Sequence, residues 1–110
     1  MKNIDGDALA EFVMKAYVAF DSRLHEKGRR RFPATEFKAL FDAVVRYVEA
    51  TKEESMIHRN VAGAISGLRE ILELKSFRAP GRAIADADRL ECMIFAGYDP
   101  HFEGDEPPGL

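Results

Sequence analysis

The sequence has only one cysteine and no apolar run long enough to cross a bilayer. Cys92 alone can form neither an internal disulfide nor a multi-cysteine metal site, as is typical of proteins in a reducing compartment. A membrane-spanning helix needs about 20 consecutive apolar residues, and the residues from Met1 to Asp7 do not begin an apolar signal segment. We therefore expect a cytoplasmic protein with no membrane partner.

The sequence also lacks the common catalytic and nucleotide-binding motifs. It contains no Walker loop, no dinucleotide fingerprint, no HExxH and no paired CxxC. Cys92 lies in an apolar run without a basic neighbour, and Ser66 precedes Gly67 inside a predicted helix, where a strand-to-helix nucleophile elbow cannot form. These absences predict a non-enzymatic protein with no catalytic residue, no metal and no cofactor.

What the sequence does contain is typical of one folded domain. It has 110 residues, of which 46% are hydrophobic and 32% are charged. This composition argues against disorder, and the length suffices for a single hydrophobic core. The net charge of −3 makes the whole surface a poor binder of polyanions, although it permits a local basic patch.

Apolar residues repeat with helical spacing in four segments, which predict helices over residues 7–27, 35–50, 52–75 and 82–97. The third is predicted to be central, because its apolar arc is too wide for one neighbour. Thr51 and Glu54 form a capping-box pattern at its start, and the apolar phase shifts across residues 52–55. A tight hairpin between the second and third helices is therefore favoured over one continuous rod.

The fourth segment is the most ambiguous, because Cys92-Met-Ile-Phe-Ala96 is apolar on every side. A short strand is the alternative, whereas Gly97 is placed to end a helix. The fold class is predicted to be all-α, a compact four-helix bundle-like domain spanning residues 1–97. Residues 98–110 are acidic and rich in proline and glycine, which predicts an extended tail.

Two features of the helices indicate packing partners. Gly63 and Gly67 each cost a helix about 1 kcal/mol relative to alanine, so their presence together predicts that another helix approaches closely there. Met14 and Val18 stand one turn apart on the otherwise polar face of the first helix. They are candidate self-association residues, and the alternative is two isolated exposed side chains.

Opposite charges are predicted to gather at opposite ends of an up-and-down bundle. The first interhelical turn and the start of the fourth helix supply the candidate anion-binding or partner-binding residues Arg29, Arg30, Arg31, Arg78 and Arg82. Basic residues at helix C-termini and carboxylates at N-termini explain part of this pattern, but not the arginines within the turn.

Two carboxylate and histidine pairs, Asp21/His25 and Glu54/His58, have the i, i+4 spacing of a metal site. They fall at opposite ends of the predicted bundle, about 30 Å apart, so one metal ion cannot bind both. The sequence thus favours a protein-protein interaction or regulatory module whose partner is another protein or itself, as a homodimer. An anion-binding module that reads nucleic acid or phosphate is the alternative, and a metal-dependent enzyme ranks third.

Overall fold

The computed structural model describes residues 6–26, 31–54, 56–74 and 80–97, and these residues form helices without any strand. The helices are α1 (Gly6–Leu24), α2 (Ala34–Thr51), α3 (Arg59–Leu74) and α4 (Gly81–Glu91), and α4 continues into a π-helix (Cys92–Ala96). The predicted all-α, four-helix architecture is confirmed. The predicted tail, residues 98–110, lies outside the described residues.

The core is built from one apolar stripe of each helix. Its fully buried side chains from α1 and α2 include Val13, Phe20, Leu40, Val44 and Tyr47, and those from α3 and α4 include Val61, Ile65, Leu68 and Leu90. Leu, Ile, Val and aromatic side chains on these stripes lose most contact with water, which is the main force that holds the helices together. The helical spacing predicted burial at all of these positions except Tyr47, which it placed on the flank of the buried stripe of the second helix.

Contacts at the helix ends show which helices run in the same direction. Arg23 near the end of α1 lies 3.5 Å from Glu36 in the first turn of α2, so α1 and α2 are antiparallel. His58, just before α3, bonds to Asp7 in the first turn of α1, so α1 and α3 are parallel. Arg69 of α3 bonds to Asp88 of α4, and these two helices pack side by side.

The junction between α2 and α3 differs from the prediction. Helix α3 begins at Arg59 and not at residue 52, and α2 itself extends to Thr51. The Thr51 hydroxyl donates to the carbonyl of Tyr47, one turn back in α2, at 2.8 Å. The predicted capping box is therefore wrong, because Thr51 ends one helix and does not start the next.

The predicted close packing at Gly63 and Gly67 is not observed in the described part of the chain. A Cβ built on either glycine has no described heavy atom within 4 Å, and Gly63 is exposed. The glycines lie on a flank of α3 about 120–160° from Arg69, which faces α4. Helix α3 does pack against both α1 and α4, but it does so through its Val61, Ile65, Leu68 and Leu72 stripe.

The apolar run at residues 92–96, for which a helix and a short strand were the alternatives, continues α4. Residues 92–96 are helical, in the wider π form, and Met93 and Ile94 are buried while Phe95 is half-exposed. Gly97 follows with φ of 76°, the left-handed conformation that ends a helix and that glycine adopts without strain. The predicted role of Gly97 is confirmed.

Candidate functional site

Helix α1 presents an apolar strip to the outside of the bundle. Glu11, Met14, Lys15 and Val18 line a shallow depression there, and we call these four residues the α1 stripe. Val18 is 59% exposed, and Met14 is partly buried. They share the outer face because positions four apart on a helix lie above one another, while Val13 and Phe20 of the same helix point into the core.

The two charged residues of the α1 stripe form no ion pair with the described residues. Glu11 and Lys15 are both exposed, and although they stand one turn apart, their charged groups do not approach within salt-bridge distance. The stripe therefore combines an apolar centre with one available charge of each sign. Such a surface suits a protein partner better than a polyanion, which would need several cations.

Other exposed apolar side chains of the described residues do not form such a strip. Phe12 is 47% exposed, but the Arg46 guanidinium lies 5.7 Å from its ring centre and covers part of its face. Met56 lies in the α2 to α3 connection and Phe95 in the π-helix. Met14 and Val18, the residues predicted for self-association, thus line one continuous surface.

The structure describes two of the five candidate anion-binding arginines. Arg31 precedes α2 and Arg82 lies in the first turn of α4, and both are exposed. Because α1 and α3 are parallel, both of them finish at the same end of the bundle. Helices α2 and α4 follow them along the chain, so they start at that end. Arg29, Arg30 and Arg78 lie outside the described residues.

A hydrogen-bonded chain of three side chains joins three helices at the other end. Nε2 of His58 lies 2.6 Å from Asp7 Oδ1, and Nδ1 lies 2.8 Å from the Tyr47 hydroxyl. The backbone N–H of His58 also donates to that hydroxyl at 2.9 Å. We call Asp7, His58 and Tyr47 the clasp, since it ties the start of α1 to the end of α2 and the start of α3.

The clasp has the residue types of a proton relay, but its tyrosine lies in the core. Tyr47 is fully buried, so its hydroxyl cannot meet a substrate. When the ring hydrogen of His58 is on Nε2 and bonds to Asp7, Nδ1 accepts the Tyr47 proton, and the Tyr47 hydroxyl also accepts from the backbone N–H of His58. The sequence did not predict the clasp because its members are distant along the chain, although a tyrosine on the flank of a buried stripe indicates a hydroxyl that needs a partner.

The histidine pairs are not assembled as a metal site. Glu54 and His58 both lie outside the helices, and His58 bonds to Asp7 instead. Asp21 and His25 do contact each other, with His25 Nδ1 at 3.3 Å from Asp21 Oδ1 and 2.9 Å from the Asp21 carbonyl. Within the described residues, no three histidine, cysteine or carboxylate side chains gather in a way that could hold a metal ion.

Two ionisable groups near the helix surfaces have shifted pKa values. Partial burial, followed by the nearby Asp21 carboxylate, raises the pKa of Tyr17 above its ordinary value of 10.0. The carboxylate of Asp88, followed by that of Glu73, raises the pKa of Arg69. Both groups therefore stay protonated to higher pH, which does not favour a role as a base or a nucleophile.

No protein-family model matches this chain, and neither the curated proteins nor the solved structures give a significant match. Among the helices that the structure describes, none is long and apolar enough to cross a membrane.

Proposed function

We propose that this chain is a small non-enzymatic protein-protein interaction or regulatory module that self-associates as a homodimer in the cytoplasm. The α1 stripe carries the proposal, because it leaves Val18 and part of Met14 in water on the outer face of a helix whose other face fills the core. A partner that covers these apolar side chains removes them from water, which stabilises the complex by about 25 cal/mol for each Å² of apolar surface buried. The burial of Tyr47 supports a non-catalytic role for the clasp.

The two residues at the centre of the α1 stripe test this proposal directly. We expect wild-type protein to dimerise at micromolar concentrations, and the double variant Met14→Glu/Val18→Glu to remain monomeric, since the contact would then bury four carboxylates. Sedimentation velocity over a hundredfold concentration range measures both states. The proposed homodimer would be excluded by a wild-type protein that stays monomeric at several hundred micromolar.

Phe95→Glu is the matched control for this experiment. It places one carboxylate at the end of the fourth helix, on a side chain whose exposure, 50%, is close to the 59% of Val18. The self-association of this variant should equal that of the wild type. A circular dichroism spectrum of each variant shows whether the helices are retained.

An anion-binding module, which would read nucleic acid or phosphate, is the second proposal. The exposure of Arg31 and Arg82 at one end of the bundle supports it. If all five candidate arginines neutralise phosphates, duplex affinity should fall with salt at a log-log slope of about −4.5, and Arg82→Ala should reduce the slope by about one. Fluorescence anisotropy with a labelled duplex at several salt concentrations measures this, and the Arg29→Ala/Arg30→Ala/Arg31→Ala variant completes the series.

A further inference from the structure

We infer that the α1 stripe binds a second copy of this chain with the two α1 helices antiparallel, so that Glu11 of each copy faces Lys15 of the other. The inference rests on the proposed self-association and specifies its geometry. A two-fold axis perpendicular to both helices generates this contact, and the same patch then serves both copies.

Charge complementarity carries the first step. Glu11 and Lys15 stand one turn apart on the same flank of the outer face and have no ion-pair partner among the described residues. A two-fold axis perpendicular to the helices brings the same flank of both copies to the same side of the interface. Each carboxylate then meets the ammonium group of the other copy, and the interface contains two equivalent ion pairs.

Side-chain size supports the same register. If Glu11 is level with Lys15 of the second copy, Val18 is level with Ala8 of that copy. In antiparallel helices, moving forward along one chain corresponds to moving back by the same number of residues along the other. Ala8 is exposed and its methyl group leaves room for the isopropyl group of Val18. The two Met14 side chains then lie within about 3 Å of each other along the axis. Small residues opposite larger ones let two helices approach closely.

A parallel arrangement of the two helices would place neither Glu11 against Lys15 nor Val18 level with Ala8. Its two-fold axis runs along the helices and carries the flank with Glu11 and Lys15 to opposite sides of the interface in the two copies. Both charges would then remain without partners, and Val18 would face the same level of the other helix, with no small residue opposite it. The antiparallel arrangement is therefore favoured by both charge and shape.

Charge reversal provides the decisive experiment. Glu11→Lys places lysines against lysines, Lys15→Glu places carboxylates against carboxylates, and the double variant Glu11→Lys/Lys15→Glu restores both pairs in reverse. We expect each single change to raise the dimer Kd about fivefold to thirtyfold in low salt, and the double variant to return within about twofold of the wild type. Sedimentation equilibrium at 20 °C measures each Kd, and higher salt should shrink the differences.

The outcomes separate this inference from the proposed function. A wild-type dimer whose Kd is unchanged by both single reversals, or not restored in the double variant, overturns the antiparallel register but leaves self-association intact. A wild-type protein that stays monomeric overturns both. Thermal melts of the variants at concentrations below the Kd of each show whether the monomer itself has been weakened.

A distance measurement gives a second, independent test. Ser22 is exposed near the end of α1, and nitroxide labels can be attached after Ser22→Cys in a Cys92→Ser background. In the antiparallel register the two labelled positions are separated along the axis by about 27 Å, whereas a parallel pair places them at the same level. Double electron-electron resonance should show the long separation. A short one would overturn the inference even if the charge variants behave as expected.

Discussion

At the scale of single residues, Gly63 and Gly67 show how a sequence feature can mislead. Two glycines one turn apart in a helix suggest a close neighbour, yet neither glycine has a described atom near the position of a Cβ. Neither has the positive φ that only glycine tolerates, since Gly97 is the sole described glycine of that kind. Within the described part of the chain, the two glycines therefore only weaken α3.

We predict that Gly63→Ala and Gly67→Ala each stabilise the protein by about 0.5–1 kcal/mol, because alanine restricts the unfolded chain and favours the helix. Urea denaturation monitored by circular dichroism measures the change. Gly97→Ala is the opposing control, and its positive φ of 76° should make it destabilising. Destabilisation by Gly63→Ala would show that another part of the molecule does approach α3 there.

Tyr47 is the residue on which the clasp depends. Its hydroxyl is buried and serves both the N–H and Nδ1 of His58, whereas Asp7 stands at the surface with 82% of its side chain exposed. Leaving buried polar groups without partners is more costly than losing a contact that water can replace.

We therefore predict that Tyr47→Phe lowers the free energy of unfolding by about 1–3 kcal/mol, since His58 loses both of its hydrogen bonds to the Tyr47 hydroxyl. Asp7→Asn should cost much less, because water reaches that end of the clasp. Urea denaturation of both variants provides the comparison. Equal losses would mean that the surface pair, and not the buried hydroxyl, holds the three helices together.

At the scale of helices, the connection between α2 and α3 is held by side chains from outside it. The sequence pattern of Thr51 and Glu54 predicts a capping box, but the residues after Thr51 leave the helix and α3 starts only at Arg59. The clasp replaces the capping box as the link, since it fixes His58 immediately before α3. Tertiary hydrogen bonds thus decide where the helix begins.

We predict that Glu54→Ala changes the free energy of unfolding by less than about 0.5 kcal/mol, because Glu54 is exposed and caps no helix. A capping glutamate would cost more when it is removed. Thr51→Ala is the contrasting variant, since it removes a buried hydroxyl that donates to Tyr47 and should cost about 1 kcal/mol. Thermal melts of the two variants rank them, and a larger loss for Glu54→Ala would restore the capping box.

At the scale of the whole molecule, the four helices bury one apolar stripe each, and the outer face of α1 keeps a second, smaller one. Because that stripe is small, we expect a dimer of modest affinity that forms and separates with concentration. Association of folded chains shifts the unfolding equilibrium by mass action, so the dimer also has a thermal signature.

We predict that the Tm of the wild-type protein rises by about 5 °C over a hundredfold increase in concentration above the dimer Kd. The Met14→Glu/Val18→Glu variant should show a Tm that does not depend on concentration. Differential scanning calorimetry at the high concentrations and fluorescence at the low ones cover the range. A wild-type Tm that is equally constant would count against self-association.

The sequence by itself determined the helical class, the number of helices and most of the core. Val13, Val44, Ile65 and Leu90 are buried as their spacing predicts, because helical periodicity is a local property that each segment carries alone. It also indicated that Met14 and Val18 lie together on the outer face of α1, since an apolar pair on a polar face is visible in the sequence of one helix. The end of the fourth helix at Gly97 was predictable too, because a glycine that follows the last apolar position is a local signal.

Only the tertiary structure decided the start of α3, the environment of Gly63 and Gly67, and the clasp. Asp7 and His58 are 51 positions apart, so no local pattern connects them, and they meet because α1 and α3 run side by side. The late start of α3 comes from a contact with α2, since the Tyr47 hydroxyl accepts the N–H of His58 that a longer helix would have used. These features depend on which surfaces come together in space, and that follows from packing the helices on one another.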